Sequence, residues 1–139
     1  MDYRRFGDTV LVRLERGEEI LEQLAQVARA ESISLASVQG LGAVDRFTVG
    51  VYHVEEQVYQ SREYTGSYEI VSLTGTVDTM QGQFYCHLHM SAADGQGTVR
   101  GGHLNRATVS ATCELVLRCI DGKVDRQRDA TTGLNLWKF

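Results

Sequence analysis

The stretch FYCHLHMSAADGQGTVRGGHL, residues 84–104, holds three of the chain's four histidines, His87, His89 and His103. Their types and spacing suit metal ligation. In an extended strand, residues two apart point to the same side and stand about 6.5–7 Å apart. Two imidazoles so placed converge on one ion lying about 2.0–2.1 Å from each nitrogen. His87 and His89 have that spacing, with Tyr85 and Ser91 on the same parity. Phe84, Cys86, Leu88 and Met90 take the other parity and are apolar. The expectation is a strand with one core face and one site face.

Whether His103 joins the pair depends on the turn within Ala93–Gly97. A turn centred on Asp94-Gly95-Gln96 sets His87 opposite His103, and directly opposite residues share a face. A two-residue Asp94-Gly95 turn sets His87 opposite Gly102 and sends His103 to the other face, unless a bulge at Gly101-Gly102 restores the parity. Both alternatives stay open at this point. Three neutral imidazoles suit Zn²⁺ best, with Ni²⁺, Cu²⁺ or Fe²⁺ as the other choices. They leave a fourth position for water, a ligand or a carboxylate, whereas structural zinc sites normally close with four protein ligands. An open position supports polarisation of a carbonyl or formation of hydroxide near neutral pH. The plain alternative is a set of surface histidines with no metal.

Four other residues compete for a role. His53 ends a strand and precedes Glu55 and Glu56, which reads as a solvated end or as a ligand or base near the metal. Glu69 lies between Tyr68 and Ile70, where a carboxylate is costly unless paired. It either holds an arginine such as Arg100 or supports the site from behind. Arg100 falls on the face opposite His103 if the strand is regular, which favours an ion pair or interface over an anionic ligand. Asp94 reads as a turn residue. Gly95 and Gly97 follow a strand but no helix follows them, so the dipole part of a phosphate loop is missing. No Ser/His/Asp triad is arguable from spacing.

The elements that must position these residues are mostly strands. Residues 9–15 alternate, with Val10, Val12 and Leu14 on one side and Leu11, Arg13 and Glu15 on the other. After Gly17, residues 18–31 carry Ile20, Leu21, Leu24, Val27 and Ala28 at helical period. Glu18 and Glu19 lie at the positive end of that helix dipole and Arg29 near the negative end. Strands are expected over 33–39 and 45–53, with Phe47, Val49 and Val51 on one face and a bend at Gly40-Leu41-Gly42 between them. A weaker strand follows over 57–65, a strong one over 68–76, a turn over 78–83, and the histidine hairpin. The longest strand is expected over 108–120, ended by Asp121-Gly122. Residues 124–132 read as polar loop and 134–137 as a short closing strand. Seven to nine strands and one main helix make an α+β fold with a highly bent, mostly antiparallel sheet in a single domain over residues 1–139. One helix cannot cover such a sheet, so an apolar face remains for contact with further copies of the chain.

Composition narrows the classes. The chain has 139 residues, 42% hydrophobic and 23% charged, with a net charge of −4. An acidic chain with no basic run longer than Arg4-Arg5 and no proline is a poor match for direct DNA contact. No apolar run reaches the ~20 residues that span a bilayer, and MDYRRFGDTV lacks a signal-peptide core. The expected location is the cytoplasm. Cys86, Cys113 and Cys119 are odd in number, lack CxxC spacing and read as small buried hydrophobes.

Several segments together resemble the plant and prokaryote conserved (PPC) domain family over nearly the whole chain. ASVQGLGAV is similar to the family's A-S-V-S-G-I-G-A-V segment, and the run from Gly66 to Gly75 to its G-x-F-E-I-L-S-L-S-G segment. His87-Leu88-His89 with Gly101-Gly102-His103-Leu104 resembles its H-L-H…G-G-H-L element, and Thr132-Gly133-Leu134 its tail. The resemblance implies a compact α+β homotrimer. It also implies zinc held by His87, His89 and His103, as in some prokaryotic members. Plant relatives are fused to AT-hooks, the source of a DNA-binding label; this chain has no hook. Three readings follow. One is a metal-binding homotrimer with an open site for a small ligand. The second is a DNA-binding or regulatory protein-interaction module. The third is a metal-dependent hydrolase or lyase acting on a small polar substrate.

Overall fold

Glycine spacing and strand alternation produce four very long, bent strands. The computed structural model describes residues 1–139. Its strands are β1 (Asp2–Phe6), β2 (Thr9–Glu15), β3 (Ala36–His53), β4 (Val58–Met80), β5 (Gln83–Ala93), β6 (Val99–Cys119), β7 (Asp125–Arg128) and β8 (Asn135–Lys138). One helix, α1 (Ile20–Ala30), follows β2. The eight strands form one sheet in the order β1-β2-β6-β3-β4-β7-β8, while β5 pairs with both β4 and β6. β3, β4, β5 and β6 therefore close into a ring. All pairings are antiparallel except the short contact of β4 with β7.

The strands expected over 33–39 and 45–53 are one strand, as are those over 57–65 and 68–76. The bend at Gly40–Gly42 exists, but it is a register shift inside β3, with a second between Val44 and Arg46. A bulge bends a strand without ending its ladder. The turn expected over 78–83 shrinks to Gln81-Gly82, leaving Asp78 inside β4. β1 was not expected: DYRRF is charged, and it is held as an edge strand by pairing with β2. Part of the expected polar loop forms β7.

The core is one cluster. Phe47, Leu73, Leu88 and Leu104 reach it from the four ring strands, joined by Val10, Val12 and Leu14 of β2. Phe47 stacks on Tyr64 with ring centroids 5.3 Å apart and meets Tyr68 edge-on at 5.0 Å. Val51, expected beside Phe47 and Val49, is exposed. Beyond Gly50, β3 pairs with β4 alone, a two-stranded ribbon on which Val51 faces solvent.

Helix α1 covers the core with Ile20, Leu24, Val27 and Ala28. Its start is fixed by Glu19, whose carboxylate accepts from Glu22 N at 2.8 Å and from Ala107 N at 2.9 Å. The same side chain thus caps the helix and ties it to β6. Cys113 is buried, and Cys86 and Cys119 are partly so. Burial, aided by nearby negative charge, pushes the Cys86 thiol up to about 11 and the Cys113 thiol up to about 12. Both stay protonated at neutral pH. No helix is long and apolar enough to cross a membrane.

Candidate metal centre

β5 divides its residues as its alternation requires. Leu88, Met90 and Ala92 are buried, and Phe84 and Cys86 pack against the core. His87 and His89 take the outer face. The register of the hairpin differs from both turn expectations. His89, not His87, lies opposite His103, and Ala93 lies opposite Val99. The connection runs from Asp94 to Thr98, closed by Asp94 N to Thr98 O at 3.1 Å and Gly97 N to Asp94 O at 2.9 Å. Asp94 Oδ1 accepts from Gln96 N and Thr98 N at 2.9 and 3.0 Å. This loop shifts the pairing by an even step relative to the three-residue turn, so His103 stays on the outer face.

The three rings cluster tightly. Centroids lie 5.2 Å apart for His87–His89, 5.0 Å for His87–His103 and 5.8 Å for His89–His103. One nitrogen from each lies within 4.8 Å of the others. None of the three side chains makes a hydrogen bond or ion pair with another protein group. Two glycine contacts fix the backbone here. A methyl on Gly75 would overlap the carbonyl oxygen of His87, and one on Gly102 would lie 2.6 Å from Gly50 O. Close strand approach at these points requires glycine.

Burial lowers the pKa of His87, helped by the positive charge of Arg126 and by His89, against the opposing pull of Asp78. Burial, with His87 and His89 beside it, pushes His103 down to about 4. At neutral pH both rings are therefore uncharged, each with one nitrogen lone pair free to bind. Imidazole nitrogens gathered this closely are a donor set that suits a divalent transition metal. No carboxylate or thiol of this chain joins the group.

The other expected site residues lie elsewhere. His53 is exposed at the end of β3 and is outside the histidine group. Glu69 is also exposed, because alternation places Ile70 in the core and Glu69 on the solvent side; it pairs across to Ala93 and forms no ion pair. Arg100 lies opposite Ala92 with its guanidinium 6.0 Å from the Tyr64 ring centroid, apart from Glu69.

Two groups beside the histidines escaped sequence reasoning. Tyr59 lies over Gly50, its hydroxyl donating to Asn105 Oδ1 at 2.6 Å, with its ring centroid 5.9 Å from that of His103. Asn105 follows His103 by two, which is the signal that could have found it. The second group is a buried ion pair. Arg126 of β7 donates from Nε to Asp78 Oδ1 at 2.8 Å and from Nη2 to Oδ2 at 2.7 Å. Trp137 Nε1 also donates to Oδ2 at 2.7 Å, and Thr76 Oγ1 donates to it at 3.1 Å. The guanidinium lies 5.0 Å from the Tyr85 centroid and 5.4 Å from that of Trp137. Thr76 is the cross-strand partner of His87, so this network adjoins the centre.

Comparison with known proteins matches this chain to a family. A protein of Bacteroides thetaiotaomicron, described as a proposed DNA-binding protein, superposes with a TM-score of 0.96 at 25% identity, covering 99% of this chain and 96% of that one. A metal-containing protein of Archaeoglobus fulgidus gives a TM-score of 0.88 at 31% identity, covering 100% and 99%. The bifunctional protein GlmU of Synechococcus sp. (strain JA-3-3Ab) is 29% identical over 127 residues, 88% of this chain. The chain spans only 19% of that relative's length. The model of the Plants and Prokaryotes Conserved (PCC) domain matches residues 1–121, and the chain belongs to that family.

Proposed function

We propose that this chain binds a divalent metal, Zn²⁺ in the first instance, through His87, His89 and His103, and offers its open position to a small ligand. One observation carries the reading: three imidazoles gather within 4.8 Å of one another while making no hydrogen bond to the rest of the protein. The Archaeoglobus relative is described as metal-containing, which supports the same reading. Bound there, the metal would supply Lewis acidity and a water acidified to near neutral pKa. Hydrolysis or lyase chemistry on a small polar substrate is the catalytic form of this proposal. The chain's own residues hold His87 and His103 neutral, and the Asp78–Arg126 network adjoins the site through Thr76.

The protein is proposed to work as a homotrimer. Leu11 and Val116 are cross-strand partners and both exposed, and Leu41 beside Glu114 extends the same outer face. Burying these side chains favours association of copies. Light scattering is expected to give about three times the chain mass of 15.5 kDa; a monomer mass at micromolar concentration contradicts it.

The test of the metal reading is elemental analysis of protein purified without a histidine tag, alongside the variant H87A/H89A/H103A. Near one metal per chain is expected in the first and none in the second. Equal content in the two overturns the assignment.

The description of the Bacteroides relative favours a second reading, a DNA-binding or regulatory module. The net charge of −4 opposes direct contact. Salt-sensitive complexes in a low-salt mobility-shift titration support the direct form, and their absence removes it.

A further inference from the structure

The charge balance around the histidines points to the class of ligand. This inference rests on the metal reading above and deepens it. Three neutral imidazoles leave a divalent ion with both its charges, since no carboxylate or thiol completes the group. Compensation must then come from nearby rows of the sheet or from the ligand.

The nearby rows supply none. His89 and His103 share their row with Thr74 of β4 and Gly50 of β3, and Gly50 leads on to Ser61. His87 shares its row with Thr76 and Ser37, and that row continues to Arg118, a cation. The next row on one side contains Asp78, but both its oxygens are taken by Arg126. The next row beyond Gly50 contains Thr48, flanked by Arg106 and Glu63, one charge of each sign. Glu69 lies opposite Ala93, about 13 Å along β5 from His89 at the rise of an extended strand. The metal-loaded face is left with uncompensated positive charge, which favours an anion at the open position.

A second observation gives the anion its shape. Asn105 Oδ1 is occupied by the Tyr59 hydroxyl, which lies 3.4 Å from His103 O. With Oδ1 accepting from that hydroxyl, the amide nitrogen is left facing away from Tyr59. Asn105 Nδ2 makes no hydrogen bond with the protein, and Asn105 is exposed on the outer face beside His103. A free amide donor two residues beyond His103 on the same face suits a ligand with two oxygens a short distance apart.

We propose that the loaded centre binds a small carboxylate, with one oxygen on the metal and the other accepting from the Asn105 amide that Tyr59 orients. Asn105 is a ligand-binding residue in this account and Tyr59 a positioning residue.

The test uses the full chain loaded with Co²⁺, whose visible spectrum reports changes in coordination. Acetate is the probe, acetamide its neutral counterpart and chloride a single-atom anion. Acetate is expected to shift the spectrum saturably, and acetamide at equal concentration to leave it unchanged. In Asn105→Ala, acetate affinity is expected to fall about tenfold, the scale of one lost hydrogen bond to a charged group, while chloride affinity stays level. Tyr59→Phe is expected to fall by less and in the same direction. Equal shifts from acetate and acetamide overturn the charge argument. Acetate affinity unchanged in Asn105→Ala overturns the second contact. Failure to take up Co²⁺ at all overturns the metal reading itself and is distinguishable from both.

Discussion

Asp78 and His87 lie in adjacent rows of the same outer face, and the chain treats them in opposite ways. Asp78 is 1% exposed and accepts hydrogen bonds from Arg126, Trp137 and Thr76. His87, partly buried among two other imidazoles, has no protein partner. One polar cluster is completed from within the fold, and the other has no protein partner for its side chains. A closed network contributes stability whether or not a ligand is present. An open one contributes it only through what it binds.

The largest expected effect breaks the closed side. Arg126→Met leaves Asp78 charged and buried without its partner, and is expected to cost about 3–5 kcal/mol in urea unfolding. Replacing both members, Asp78→Leu with Arg126→Met, is expected to recover most of that loss, because two buried charges vanish together. A double variant as unstable as the single one would place the effect in packing against Tyr85 and Trp137 instead.

Gly75→Ala is expected to damage both sides. The added methyl overlaps the His87 carbonyl, so β4 and β5 must separate, at about 1–3 kcal/mol. Metal content should fall with it, because His87 moves. Retained metal with lost stability would show that the imidazoles adapt independently of the backbone.

The open side should show the reverse pattern. His89→Ala is expected to change the metal-free stability by only about 0.5 kcal/mol, as for an ordinary exposed position. Zinc should raise the melting temperature of the native chain and not that of His89→Ala. Calorimetry with and without excess zinc checks this.

Acid titration separates the clusters again. Burial alone would raise the Asp78 pKa, but the hydrogen bonds from Arg126, Trp137 and Thr76 outweigh it and hold the carboxyl below its ordinary value. Its stabilisation is therefore fully present above the unfolded carboxylate pKa, about 3.9. It is lost as pH falls through the lower folded-state value. Native stability should drop in that acid window, and Asp78→Asn, though less stable at neutral pH, should show a shallower drop.

How much of this was legible depends on range along the chain. FYCHLHMS showed its two faces outright, because alternation is local and the apolar parity is unbroken. The helix stripe from Ile20 to Ala28 showed itself for the same reason. The histidine register did not: an Asp-Gly pair suggests a tight turn, yet Asp94 caps a longer loop through its own side chain. β3 and β4 read as four strands because glycines at 40, 42 and 66 resemble ends, whereas in the fold they permit bends within continuous ladders. Glu69 reads as buried because its neighbours Tyr68 and Ile70 are apolar, although alternation places it in solvent. Asp78 and Arg126 are 48 residues apart, and no local pattern pairs them. His87 and His89 needed only parity and His103 needed the loop at Asp94, while the network beside them needed the tail to fold across β4.

The most direct measurement is X-ray absorption at the zinc edge of protein loaded with one equivalent. The account predicts three imidazole shells at about 2.0–2.1 Å and one lighter oxygen or nitrogen donor. A sulfur shell at about 2.3 Å, or fewer than three imidazoles, would contradict the centre formed by His87, His89 and His103.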